Sequence, residues 1–238
     1  MNTGPNMPHA EKQPIAVAGS LQRAAPVAIF PVLMAGVFFA AAGRLDWAWA
    51  WVYLGINLAN LLVVGPITIR ANPETVGEAG EPEMRQKWDA GSVFYLLAMY
   101  IALPLVAGLD VRFGWARDLS IAWHIAGAAV LAVGMGLTAW AMTTNAYIWS
   151  PVPIQDGQTV CSVGPYRYVR HPAYQGSILQ ALGVPILLGS FWALIPGFTA
   201  AVCIITATSS EDRLLQAELP GYQDYVRQVH FRLVPGVW

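Results

Sequence analysis

The stretch that decides the fold runs from Tyr174 to Ser210 and reads YQGSILQALGVPILLGSFWALIPGFTAAVCIITATSS. It holds no charged side chain. A helix crosses the roughly 30 Å hydrocarbon core of a bilayer with about 20 apolar residues, so this stretch is too long for one crossing. Gly189-Ser190 offers a break near its middle, and the spacing predicts a hairpin of two helices. Gly183 and Pro185 are expected to break the first arm and stop it short of the far interface. Polar motifs flank the hairpin: G-P-Y-R-Y-V-R-H-P-A-Y-Q-G at Gly164–Gly176, and E-D-R-L-L-Q-A-E-L-P-G-Y-Q-D-Y at Glu211–Tyr225. Folding it brings both motifs to one face of the membrane. Arg170 and Glu211 then share a level at the water–lipid boundary, where one water-soluble and one greasy reactant could meet.

Upstream, four uncharged runs are long enough to span: Ala24–Gly43, Trp47–Ile69, Ala90–Leu109 and Ser120–Met142. With the hairpin, the fold class predicted is all-α: a polytopic integral membrane protein of about six membrane helices, closed by short C-terminal helices at the interface. The chain is 56% hydrophobic and only 11% charged, against about 25% charged residues in soluble domains. Its net charge of -1 excludes the basic footprint of a nucleic-acid binder. Cys161 and Cys203 lack metal-site spacing, and the four histidines are scattered, so no metal centre is expected. With the N-terminus inside, ten basic residues (Lys12, Arg23, Arg70, Arg85, Lys87, Arg167, Arg170, Arg213, Arg227, Arg232) lie inside against Arg44, Arg112 and Arg117 outside. That bias predicts a cytoplasmic N-terminus and cytoplasmic motifs. The segment Asn72–Asp89 reads as a solvated connector.

Each polar candidate has a plain structural reading beside a functional one. Arg170 offers a rigid donor fork for a carboxylate or phosphate, or it snorkels as an interface anchor. His171 precedes Pro172, which sets an extended residue and a helix start; its ring could contact a ligand or satisfy local backbone. Tyr166, Tyr168 and Tyr174 could wall a cationic ligand or sit in an interface belt. Glu211 and Asp212 oppose the dipole of a helix that ends there, which makes a solvated pair unless the helix continues. Tyr222 and Tyr225 suit packing, and Gly134-Met135-Gly136 suits close helix contact.

Taken together, the first motif, the Glu211-Asp212 pair, E-L-P-G-Y-Q-D-Y (Glu218–Tyr225) and the terminal R-L-V-P-G-V-W resemble the isoprenylcysteine carboxyl methyltransferase family, its bacterial members most closely. The resemblance covers roughly Asn145 to Trp238. It implies an integral membrane enzyme of a bacterial inner membrane that transfers a methyl group from S-adenosyl-L-methionine without a Rossmann domain. By matching position, Tyr166, Val169, His171, Pro172, Tyr174 and Glu211 would line the cofactor pocket. The segment from Leu214 to Tyr225, including Leu215 and Tyr222, would close over it. Arg170 and Glu211 match the family's catalytic pair. Residues 1–23 are then a flexible cytoplasmic tail, 24–142 four transmembrane helices, and 143–238 the methyltransferase core.

The acceptor implied is lipophilic, foremost a carboxylate of isoprenylcysteine type. Such a nucleophile needs no base, and Arg170 could hold it in line. A phospholipid amine or a thiol would need proton removal, for which Glu211 or His171 are candidates. Two other readings share some of the residues. One is an NADPH-dependent membrane reductase acting on sterol-like enones, whose R-H-P-x-Y element usually has Asn where Ala173 stands. The other is a non-catalytic scaffold. Two departures from the family pattern bear on the acceptor. Asp156-Gly157-Gln158 replaces an Arg-Gly-His element, and Ala207-Thr208-Ser209-Ser210 lacks an arginine that usually precedes the acidic pair.

Overall fold

The computed structural model describes residues 31–71, 90–115, 119–149, 154 and 157–238. The N-terminal tail and the Asn72–Asp89 connector lie outside the described residues. Those that are described form helices and turns without strands. We number them α1 (Pro31–Ala42), α2 (Ala48–Ala71), α3 (Ala90–Leu97, a π turn Ala98–Ala102, then Leu103–Phe113), α4 (Ile121–Thr144), α5 (Pro172–Leu188), α6 (Leu194–Glu218) and α7 (Tyr222–Gln228).

Four of these helices, α2, α3 from Gly91, α4 and α6, are long and apolar enough to cross a membrane. Their outer faces carry large apolar side chains such as Trp51, Leu62, Phe94, Ile125, Val133 and Val202, all exposed. In water such a surface would aggregate; against lipid tails it costs nothing. The chain is an all-α polytopic integral membrane protein.

Within α3 the π turn has a local cause. Pro104 brings no N–H and would press its ring on the carbonyl four residues back. Widening the helix there lets the Leu103 N–H reach Ala98 O instead, and the rod continues without a sharp break.

The hairpin forms as expected. Gly189 ends α5 at φ 80, a left-handed conformation suited to glycine, and the Ser190 N–H closes the turn on Pro185 O at 3.0 Å. The first arm differs from expectation, because α5 is a single helix through both Gly183 and Pro185. Gly183 is a contact point rather than a break: a Cβ there would lie 2.8 Å from Leu131 N of α4. The 17 residues of α5 are about 25 Å long, a few ångströms short of the hydrocarbon core.

Four glycines bring the α4 and α5 backbones together. A Cβ at Gly127 would sit 2.2 Å from Leu187 N, one at Gly134 2.7 Å from Gly176 O, and one at Gly176 2.5 Å from Gly134 O. Gly183 extends the same seam. Lipid gives helices no hydrophobic reason to associate, so close packing and interhelical hydrogen bonds carry the contact. Gln180 of α5 adds one of these, donating to Thr138 Oγ1 of α4 at 3.0 Å.

At the hairpin tip Ser190 donates to the buried carboxylate of Asp110 at 2.5 Å and accepts the Ala193 N–H at 3.2 Å. This ties α3 to the hairpin. The main core (Phe38, Leu103, Leu131, Val184, Leu187, Leu188) lies between the helices. A second, smaller core of Ala141, Tyr166, Leu215, Leu219, Tyr222, Tyr225 and Val229 lies at the other end, where the two motifs meet.

Candidate functional site

The first motif is held by turns at both ends. Gly164, at φ 58, starts a short 3-10 turn, Gly164–Arg167, packed on Thr144 at the end of α4. Pro172 begins α5, as the residue pair predicts, but His171 before it, at φ -125 and ψ 62, is neither helical nor fully extended. The C-terminal segment crosses this strap: the Arg170 N–H donates to Phe231 O and the His171 N–H to Arg232 O, both at 2.9 Å.

Asp212 is the centre. Its carboxylate has no exposed surface and accepts on both oxygens. Oδ1 takes Arg170 Nε at 2.8 Å, Tyr222 Oη at 3.1 Å and His171 Nε2 at 3.2 Å. Oδ2 takes Arg232 Nε and Gln216 Nε2 at 2.8 Å and Arg170 Nη2 at 3.0 Å. The remaining Arg170 nitrogen, Nη1, donates to the Val229 and His230 carbonyls, each at 2.8 Å. Burial pulls the Arg170 guanidinium down, and the hydrogen bonds and charge of Asp212 raise it by more, so it stays charged. Burial first, and Asp212 second, push the Tyr222 phenol up, so its hydroxyl remains a donor.

Glu211 belongs to a different surface. Its side chain is 42% exposed and accepts the Tyr174 hydroxyl at 2.5 Å. His171 lies between the two acids, with Nε2 on Asp212 and Nδ1 4.0 Å from Glu211 Oε1. Its ring stacks on that of Tyr174, centroids 5.9 Å apart and planes 15° from parallel. Glu211, Tyr174 and His171 thus present a carboxylate and aromatic surface at the edge of the site, a combination that suits a cation.

The other sequence candidates fall into place around this centre. Tyr166, Val169, Pro172, Leu215 and Tyr222 are buried. Tyr166 holds the cap through its backbone, its carbonyl accepting the Tyr225 hydroxyl at 2.6 Å. Tyr168, by contrast, is exposed. Gly134 packs on Gly176 while Gly136 faces open space. Burial pushes the Cys161 thiol up, away from the thiolate a nucleophile needs.

One expected contact is replaced. Arg170 pairs with Asp212, and Glu211, the carboxylate singled out from the sequence, is taken by Tyr174. Successive residues of a helix are turned by about 100°, so only one of the two acids can face inward. Because α6 continues to Glu218, neither acid sits at a helix end. Arg232 was not among the sequence candidates, and Asp212 entered only as the neighbour of Glu211 in the acidic pair, with no site role of its own. A signal for Asp212 was present: Ala201, Ile204, Thr208 and Leu215, the buried residues at helical spacing, place position 212 on their face. Arg232 had no such signal, because its contact is made by a segment without regular structure.

Residues 122–219 match the family described as phospholipid methyltransferase, which lies in the same group of membrane methyltransferases as the isoprenylcysteine carboxyl methyltransferases. The matched part takes in α4, the first motif, the hairpin and both acids. A nickel-cobalt-cadmium resistance protein, NccN, from Alcaligenes xylosoxydans xylosoxydans is 31% identical over 105 residues, or 42% of this chain. The chain spans about half the length of that relative, 48%.

Proposed function

We propose that this protein is a membrane methyltransferase that uses S-adenosyl-L-methionine and acts on a lipophilic acceptor. The observation that carries the reading is the accessible carboxylate of Glu211, bonded to Tyr174 and beside His171, at one end of the α5–α6 hairpin. A sulfonium is a cation, and a carboxylate with aromatic faces in a partly desolvated place is suited to hold one. The phospholipid methyltransferase match over residues 122–219 supports the same reaction class.

When bound, S-adenosyl-L-methionine would supply an electrophilic methyl group. Glu211 and Tyr174 would hold its cationic part, with His171 alongside. The buried Tyr166, Val169, Pro172, Leu215 and Tyr222 would form the wall behind them. Arg170 and Asp212 hold the two motifs in register, which sets the positions of His171 and Glu211. The surrounding apolar helices keep water from the reacting atoms and admit a lipophilic acceptor from the bilayer. An isoprenylcysteine-type carboxylate and a phospholipid amine both fit that description.

The site faces the cytoplasm of a bacterial cell in this reading, on the positive-inside bias. The metal-resistance name belongs to NccN; among the described residues no group of three or more His, Cys, Asp or Glu side chains is placed to hold a metal ion. The test is isothermal titration of S-adenosyl-L-methionine into the purified protein in detergent. Binding is expected for the wild type and at least a tenfold loss for Glu211→Ala, about 1.4 kcal/mol. No binding by the wild type overturns the proposal, whereas NADPH binding with oxidation on an enone lipid would favour the reductase.

A further inference from the structure

We propose that His171 Nδ1 is a proton acceptor for the transferred-to atom, so that the acceptor is a thiol or amine carrying a hydrogen rather than a carboxylate. This rests on the methyltransferase reading above. Two observations on separate parts of the site carry it.

The first is that Arg170 is not available to hold a carboxylate. Nε, Nη1 and Nη2 all donate, to Asp212 and to the Val229 and His230 carbonyls. The guanidinium is buried beneath the C-terminal segment. Four of its five N–H groups are thus committed inside the protein and the side chain is only 4% exposed, which leaves little of this cation to hold an in-line carboxylate.

The second is the state of the His171 ring. Asp212 is an acceptor held by two guanidiniums, a phenol and an amide. The nitrogen facing it, Nε2, therefore carries the proton, as in other histidines oriented by a carboxylate. In the neutral ring the lone pair is then on Nδ1. The His171 side chain is 5% exposed, and among the described residues Nδ1 makes no hydrogen bond, so it is the ring nitrogen left for a ligand at the edge of the site. It lies on the Glu211 side, 4.0 Å from Oε1.

Arg232 is a positioning residue for this ring. Its carbonyl accepts the His171 N–H at 2.9 Å, its Nε holds Asp212 at 2.8 Å, and Asp212 holds His171 Nε2 at 3.2 Å. The three residues close a ring of contacts that fixes both the backbone and the side chain of His171. The charged and titratable groups around the imidazole are Asp212 and Glu211 of α6, Tyr174 of α5, Tyr222 of α7, and the neighbouring Arg170 and Arg232.

In the step proposed, the S–H or N–H proton of the acceptor passes to His171 Nδ1. The electron pair released on sulfur or nitrogen forms the bond to the methyl carbon. The carbon–sulfur bond of the sulfonium donor breaks with its electrons left on sulfur, giving a neutral thioether. The imidazolium later returns its proton to water.

The test has two arms on the full chain in detergent. Nitrogen-15 spectra of histidine-labelled protein, with His171 assigned by its loss in His171→Asn, are expected to show an unprotonated Nδ1 and a protonated Nε2. Arg232→Ala should scramble that tautomer and Arg232→Lys restore it. An Nδ1–H tautomer in the wild type overturns the proposal, whatever the enzyme does. In the second arm, radiolabelled methyl transfer is measured to dodecanethiol, to dioleoylphosphatidylethanolamine and to N-acetyl-S-farnesylcysteine, which offer a thiol, an amine and a carboxylate. Transfer to the thiol or the amine is expected, with kcat/KM falling at acid pH. At saturating S-adenosyl-L-methionine, His171→Asn and His171→Gln should lower that transfer about 100-fold or more. Transfer to the carboxylate alone, transfer to none, or unchanged transfer in both variants overturns it. Failure to bind S-adenosyl-L-methionine would sink the methyltransferase reading instead, and the tautomer measurement tells the two failures apart.

Discussion

Asp212 and Glu211 are adjacent acids with opposite assignments. Asp212 is saturated by six contacts and has no route to substrate, whereas Glu211 is half in solvent with one phenol on it. Replacing Asp212 by Ala would leave the buried Arg170 guanidinium without its counter-charge. Breaking a buried pair in that way costs about 3–5 kcal/mol, which thermal unfolding in detergent should register as a large drop in Tm. Arg232 makes its ion pair with a side chain 27% exposed, and its truncation should cost about 1 kcal/mol or less. Equal losses for the two variants would mean that Arg232 bears the site as much as Asp212 does. At Glu211 the expected loss is of cofactor binding with little change in unfolding. A carboxylate already in contact with water leaves no buried charge behind when it is removed.

The elements hold together by touching backbones. Gly127→Ala would drive a methyl group into the Leu187 amide of α5, at 2.2 Å before relaxation. We expect destabilisation of about 1–3 kcal/mol. The same substitution at Gly136, where nothing lies within 4 Å, should be neutral or slightly stabilising, because alanine is the better helix former. Comparing the two melting temperatures separates packing from propensity on one helix. At the hairpin tip, Ser190→Ala removes the hydroxyl that donates to Asp110, a cost of about 1–3 kcal/mol for a buried acceptor losing a donor. The continuity of α5 through Pro185 has the same origin. The helix is held from outside by α4 and by α6, where Gly197 packs on Ala181, so a residue that reads as a breaker in isolation is accommodated.

For the molecule as a whole, orientation is the property to measure. In a background of Cys161→Ser and Cys203→Ser, a cysteine at Arg227 should be labelled by an impermeant maleimide only after the cell membrane is opened. A cysteine at Arg44, at the other end of α2 from the site, should be labelled in intact cells. The reverse pattern would place the site outside, away from any cytoplasmic cofactor. The exposed apolar belt also implies that the protein leaves detergent only by aggregating, since its outer surface is built for lipid.

Much of this was legible in the residues one by one. Apolar length gave the spans α2, α3, α4 and α6, the glycine before Ser190 gave the hairpin turn, Pro172 gave the start of α5, and the hairpin put both motifs at one end; the start of the Ala24–Gly43 run lies outside the described residues. These are local or one-dimensional properties: hydrophobic run length, a left-handed turn residue, a fixed proline φ. The tertiary structure alone decided which acid meets Arg170, that Arg232 reaches back to the same carboxylate, and that two helices touch through Gly127, Gly134, Gly176 and Gly183. Those outcomes depend on the rotation of α6 about its own axis and on the path of a C-terminal segment with no period to read. Rotation is set by packing against α4 and α5, so the sequence brought two carboxylates to the site and the packing chose between them.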